Sequence, residues 1–385
     1  MINPRVAALN RSSTLKLTAL TNKLKKEGKD VVNFTAGEPD FDTPDFIKKA
    51  AKTAIDSGFT KYTPSAGALE LREAVAKKLK DDNSIIYAPG DIIVTSGAKY
   101  AIYVAMLTAL DIDDEVILPT PYWVSYPEMI NLCGAKVKFL STKKENNFKI
   151  NVSDLEKLIT PKTKMLIMNY PGNPTGITYT KEELEPIAQL AVAKKFYVLS
   201  DEIYEKLIYD GLKHVSFASL PNAHSVTLTV NGFSKSAAMT GWRIGYLAGP
   251  NDFIEHAGKV ADHTTSCASS ISQKAALAAL GDKEWCAKMN KEFEKRRDVL
   301  FEGLSKLGEK FIPIKPQGAF YMFCDISKTG LKSDDFCSRL LEKYLVSCIP
   351  ADGFGAEGYI RISFSTSIAD IEKGVERIGK FLNEL

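Results

Sequence analysis

The sequence predicts an α/β fold in which a large domain, built on a mostly parallel central sheet, is joined to a smaller α+β domain. Three observations predict it. From about residue 91 to 250, short apolar, β-branched runs alternate with longer helical patterns, the signature of a parallel sheet covered by helices. The helical stretches between the runs, such as 98–110 and 181–195, are long enough to carry the crossovers that parallel strands require. After residue 280 the alternation gives way to one long charged helix, two strand-like runs and a closing helix. Residues 44–282 therefore read as the large domain, with residues 1–43 and 283–385 together forming the small one.

Taken in order, Leu15, Leu17, Leu20 and Leu24 recur at roughly helical spacing behind Ser12, Ser13 and Thr14, which stand where an N-cap belongs. The basic stretch from Arg5 to Lys26 is accordingly read as a helix packed on the C-terminal unit rather than as a transit peptide. Strands are predicted at 91–95, 115–118, 136–140, 164–168, 196–200, 226–230 and 243–248. The small domain is predicted to hold the helix 283–307, strands at 319–324 and 359–365, and the helix 368–385.

Composition excludes several classes. The chain has 385 residues, 45% hydrophobic and 25% charged, which is ordinary for a globular protein. Its net charge of +3 comes from 50 basic and 47 acidic residues in alternation, without the basic stripe of a nucleic-acid or membrane surface. No apolar run approaches the ~20 residues of a membrane span. Six cysteines stand far apart with no CxxC pair, as thiols of a reducing, cytoplasmic compartment do. Four histidines form no short-spaced cluster with them, so no metal site is expected.

Two motifs mislead. Gly353–Phe354–Gly355–Ala356–Glu357–Gly358 matches GxGxxG, but a strand-like run follows it where a dinucleotide site needs a helix, so it reads as a loop. Ser13–Thr14–Leu15–Lys16 and Lys328–Thr329–Gly330 resemble parts of a serine-acylase signature whose middle element is missing.

The chemistry gathers elsewhere. Asp201 closes a predicted strand and Tyr204 follows it, so a carboxylate and a phenol emerge at the carboxyl edge of the sheet, where α/β ligands bind. Gly232–Phe233–Ser234–Lys235 follows the next strand, and Gly241–Trp242–Arg243–Ile244–Gly245 comes eight residues after the lysine. A lysine near other cations loses its proton readily and attacks carbonyls. A guanidinium between two glycines suits a bidentate grip on phosphate. Nucleophile and anchor together fit a phosphorylated aldehyde cofactor.

On these residues, and on the segments 31–41, 61–64, 121–127 and 169–176, the chain resembles the class I, fold-type I pyridoxal-phosphate (PLP) aminotransferases, and within them the bacterial aspartate aminotransferase subgroup. The resemblance runs from Val31 to Arg361 with the motifs in family order. It implies that Lys235 forms the Schiff base and shuttles protons, that Asp201 sits on the pyridine nitrogen, and that Tyr204 and Asn173 bond the ring's phenolic oxygen. Trp123 would stack on the ring, and Gly97, Ala98, Lys99, Ser234 and Arg243 would receive the phosphate. One departure is Gly232, where many relatives carry serine. Tyr62 would reach the phosphate of a neighbouring subunit, implying a homodimer with shared sites. Arg361, which alternation with Ile360 and Ile362 alone would leave solvated, would clamp the α-carboxylate, and Gly37 would close over the substrate. Lys99, supported by Ser12 and Thr14, would recognise a distal carboxylate, which points to aspartate and 2-oxoglutarate as substrates. Rival readings keep the cofactor but take prephenate or an aromatic or aliphatic amino acid, act as a PLP lyase or synthase, or bind PLP without catalysis.

Overall fold

The computed structural model describes residues 2–9 and 13–385, the side chains of 13–18 excepted. Its strands are β1 (Val32–Asn33), β2 (Ile92–Thr95), β3 (Glu115–Thr120), β4 (Lys136–Ser141), β5 (Thr163–Asn169), β6 (Tyr197–Asp201), β7 (Thr227–Gly232), β8 (Gly245–Ala248), β9 (Ile312–Ile314), β10 (Tyr321–Asp325), β11 (Val346–Ser347), β12 (Ile349–Pro350) and β13 (Tyr359–Ser363). All seven runs predicted between residues 91 and 250 become strands of one sheet, in the order β2-β8-β7-β6-β5-β3-β4. Met165, Leu166, Ile167 and Met168 are all buried, because helices cover both faces of a parallel sheet and leave it no polar side.

One strand breaks the parallel pattern and in doing so builds the site. β8 runs antiparallel to both β2 and β7, whereas the β3–β4, β3–β5, β5–β6 and β6–β7 pairs are parallel. Antiparallel neighbours need no crossover helix, so residues 233–244 stay at the carboxyl edge of the sheet and carry Lys235 and Arg243 with them. The predicted strand 243–248 is corrected here: Arg243 takes a left-handed backbone, φ +52°, and pairing begins only at Gly245. That glycine is required, since a Cβ on it would lie 2.6 Å from the Ala98 nitrogen.

The second sheet is antiparallel, ordered β12-β13-β10-β9, and β1 pairs in parallel with β11. Phe34 thereby enters the same apolar cluster as Phe293, Phe320, Phe364 and Phe381, which joins the N-terminal segment to the C-terminal chain. Helix Ser13–Lys26 lies against β12, as expected. The long helix runs from Glu284 to Ser305 and the closing helix from Ile368 to Leu382, each within a few residues of expectation. The strands β1, β9, β11 and β12 were not anticipated; at two or three residues each, they are too short to display a period. Gly353–Gly358 forms a turn ahead of β13. No helix among the described residues is long and apolar enough to cross a membrane.

Candidate active site

Adjacent strand ends supply the first groups. Asn169 at the end of β5 pairs in register with Asp201 at the end of β6, and Lys235 lies three residues past β7. Helix Ala98–Ala109 starts directly beyond β2 with Gly97 as its cap at φ +89°. From the second sheet, β13 brings Arg361. A cavity of about 590 Å³ lies between these elements, lined by Gly37, Ala98, Lys99, Trp123, Asn173, Asp201, Tyr204, Ser234, Lys235, Arg243 and Arg361. Eleven predicted residues thus share one space.

Burial and charge prepare several of them. Asp201 is 3% exposed. Its Oδ2 accepts a hydrogen bond from the Tyr126 hydroxyl at 2.7 Å and its Oδ1 one from the Ile203 amide at 3.3 Å. Loss of solvent outweighs those bonds and pushes the carboxyl up to about 6. Lys235 Nζ donates to the Gly37 carbonyl at 2.6 Å. Burial lowers this amine to about 8 against the pull of Glu38 and Asp201, with Arg243 and Arg361 lowering it further. Burial, with Arg243 beside it, also holds Lys99 below the usual lysine value, and its Nζ lies 4.7 Å from the centre of the Trp123 ring.

The anion-binding corner is shaped by glycine. A Cβ on Gly97 would stand 2.5 Å from Arg243 Nη2, so only glycine admits that guanidinium to the helix N-terminus. Arg243 Nη1 donates to the Thr240 carbonyl at 2.9 Å. Gly241, by contrast, is not sterically required, since a Cβ added to it would meet nothing within 4 Å. The departure at Gly232 has a steric reason: a Cβ there would lie 2.9 Å from the Gly245 Cα and 3.0 Å from the Ile244 carbonyl, leaving no room for serine. Gly232 faces a second cavity of about 630 Å³ behind the lysine segment, while Ser234 faces the first.

Arg361 corrects the solvated reading that alternation alone gives. It is 3% exposed, and its neighbours Ile360 and Ile362 are buried too, because β13 is an interior strand with both faces covered. Its Nη1 donates to Asn173 Oδ1 at 3.0 Å and its Nη2 to the Thr35 carbonyl at 3.1 Å. Nε is buried and finds no partner among the described residues.

One other predicted residue falls elsewhere. Tyr62 is 89% exposed and does not line the cavity. Ser12 lies outside the described residues, as does the side chain of Thr14. Sequence reasoning missed Tyr126, Tyr321 and Asn169, all of which line the cavity. Tyr126 stands three residues from Trp123 in the 121–127 segment, a one-turn spacing that could have flagged it. Tyr321 had no such signal. Folding also gathers Glu202, Glu205 and His214, whose ligand-type atoms lie within 4.8 Å of one another, a grouping that linear spacing hid. Glu202 is bonded to Ser200, Ser216 and His214, and Glu205 to Lys78 and Asn83, so both carboxylates are already engaged within the protein.

Comparison with known proteins supplies the family. The model for aminotransferases of class I and II matches residues 29–378. The chain belongs to the class I and II aminotransferases. Among its aminotransferase relatives, the aspartate aminotransferase of Geobacillus stearothermophilus is 45% identical, over 98% of each chain. A probable aspartate/prephenate aminotransferase of Aquifex aeolicus is 43% identical over 99% of this chain and 98% of its own. The Thermus thermophilus aspartate aminotransferase solved with maleate superposes with a TM-score of 0.95 at 42% identity, covering 99% of both chains. This aminotransferase therefore shares its whole architecture with enzymes that exchange amino and oxo groups.

Proposed function

We propose that the chain is an aspartate aminotransferase that uses PLP to move the amino group of L-aspartate onto 2-oxoglutarate, giving oxaloacetate and L-glutamate by a ping-pong mechanism. The observation that carries this reading is that Lys235, Asp201 and Arg361 line one cavity. The residues fit the cofactor: a glycine-shaped corner with Arg243 suits its phosphate, a buried carboxylate its ring nitrogen, and Lys235 its aldehyde. When bound, PLP supplies an electron sink that makes the substrate's Cα proton removable.

The protein's own groups do the rest. Arg361 grips the α-carboxylate through its fork, exchanging the Asn173 or Thr35 contact for the ligand. Lys235 Nζ takes the proton from the substrate's α-carbon, and its value of about 8 keeps a useful neutral fraction near physiological pH. Asp201 holds a proton on the ring nitrogen, a pairing that offsets the cost of its own burial. Tyr204 and Asn173 would bond the ring oxygen, and Trp123 would cover the ring face. Lys99 meets the distal carboxylate of a dicarboxylic substrate, supported by Ser12 and Thr14. The exposed Tyr62 completes the phosphate site of a second copy, so the working unit is a homodimer. Residues 44–282 form the cofactor-bearing domain and the remainder the small one. Six unpaired thiols, four of them buried, suit the cytoplasm.

A visible-absorbance titration of purified enzyme tests this. Aspartate should convert one band to another and 2-oxoglutarate should restore it; a colourless protein, or one unchanged by both, would overturn the reading. The aspartate/prephenate relative favours prephenate as a second substrate, and turnover of prephenate with aspartate as donor measures it.

A further inference from the structure

One side chain touches both halves of the site. Tyr321, the first residue of β10, is 1% exposed, and its hydroxyl lies 3.0 Å from that of Tyr204. The face of the same ring lies 4.3 Å from the guanidinium carbon of Arg361. The site thus presents the phenol assigned to the cofactor and the guanidinium assigned to the substrate on opposite features of one aromatic residue.

From this geometry we propose that Tyr321 is a positioning residue that orients Tyr204 through its hydroxyl and Arg361 through its ring face. The inference rests on the function proposed above. The backbone of Tyr321 is fixed by the sheet, since it pairs with Ser363 in β13, two residues from Arg361. Side chains two apart on a strand share a face, so the register that places Tyr321 opposite Ser363 also sets its ring against Arg361. The ring packs on Phe320 at 4.7 Å and on Tyr204 at 5.8 Å, which restricts its rotation. A cation held over an aromatic face keeps its N–H edge free for in-plane acceptors. Arg361 uses that edge for Asn173 and Thr35 and would use it for a carboxylate. The hydroxyl contact, in turn, occupies one bonding direction of Tyr204 and aims the other.

The two contacts can be separated by substitution. Tyr321→Phe removes the hydroxyl and keeps the ring; Tyr321→Leu removes both. In the holoenzyme, the pH midpoint of the visible absorbance should move by about half a unit or more in Tyr321→Phe, with kcat reduced and KM for aspartate nearly unchanged. Succinate, a dicarboxylate that cannot react, should bind Tyr321→Phe as it binds wild type, and Tyr321→Leu about tenfold more weakly by calorimetry. If Tyr321→Leu does not fold, Tyr321→Met, similarly bulky but without a π face, takes its place. A Tyr321→Phe enzyme with wild-type midpoint and kcat, or a ring-less variant with wild-type succinate affinity, overturns the inference. A colourless wild type would instead overturn the underlying assignment, so the two failures are distinct.

Discussion

Asp201 carries an internal cost that its proposed task offsets. A carboxyl raised from 3.8 to about 6 is stabilising in its protonated form below pH 3.8, and that contribution is lost as pH rises through 6. Above that, the cofactor-free protein bears about 3 kcal/mol of unrelieved desolvation, taking roughly two pH units at 1.4 kcal/mol each. Asp201→Asn should therefore raise the melting temperature of cofactor-free protein at pH 8 while lowering kcat by about 100-fold or more; differential scanning calorimetry beside steady-state kinetics measures both. Lys235→Ala should remove borohydride-trapped cofactor and lower turnover by about 1,000-fold or more. At Lys99 the question is choice rather than rate: Lys99→Ala should cut kcat/KM for aspartate about tenfold or more relative to alanine, because only the dicarboxylate loses a charge-assisted bond. A substrate panel that keeps its order in Lys99→Ala would refute that assignment.

Glycines divide into two kinds according to the elements they join. Gly97 stands where strand β2 meets its helix, with Arg243 filling the space of the absent side chain. Gly97→Ala should weaken cofactor binding about tenfold or more, since overpacking costs about 1–3 kcal/mol and φ +89° already disfavours alanine. Gly258, inside helix Asn251–Asp262, has nothing within 4 Å of a new Cβ. Gly258→Ala should stabilise the protein by about 0.5–1 kcal/mol with no change in activity, read by thermal unfolding. The principal elements were legible in the sequence because each is long enough to show its period, and β5, β6 and β7 end within one or two residues of the expected 168, 200 and 230. The left-handed turn at Arg243 was not legible, since it is fixed by contact with Gly97 across the fold. The burial of Arg361 was hidden for the same reason: alternation along β13 reports one strand, and the neighbouring layers decide what covers it.

The two sheets are tied at their edges as well as through their cores. Gly374 in the closing helix leaves space for Phe34, whose ring would stand 2.3 Å from a Cβ there. Gly374→Ala should lower the melting temperature by several degrees without altering the absorbance of bound cofactor, because the strain falls in the packed cluster and not in the cavity. Closer to the chemistry, Asn169 Nδ2 donates to the Asp201 carbonyl at 3.0 Å, and its Oδ1 accepts from the Asn173 amide at 2.9 Å. Asn173 then receives Arg361 from the other sheet. Carboxylate and guanidinium are thereby surveyed from one bench mark, the side-chain amide of Asn169 on the cavity wall. Drift between the two sheets would stretch this chain of three hydrogen bonds together with the Tyr204–Tyr321 contact, so the spacing between ring and substrate is held to the tolerance of hydrogen bonds rather than to that of a hinge.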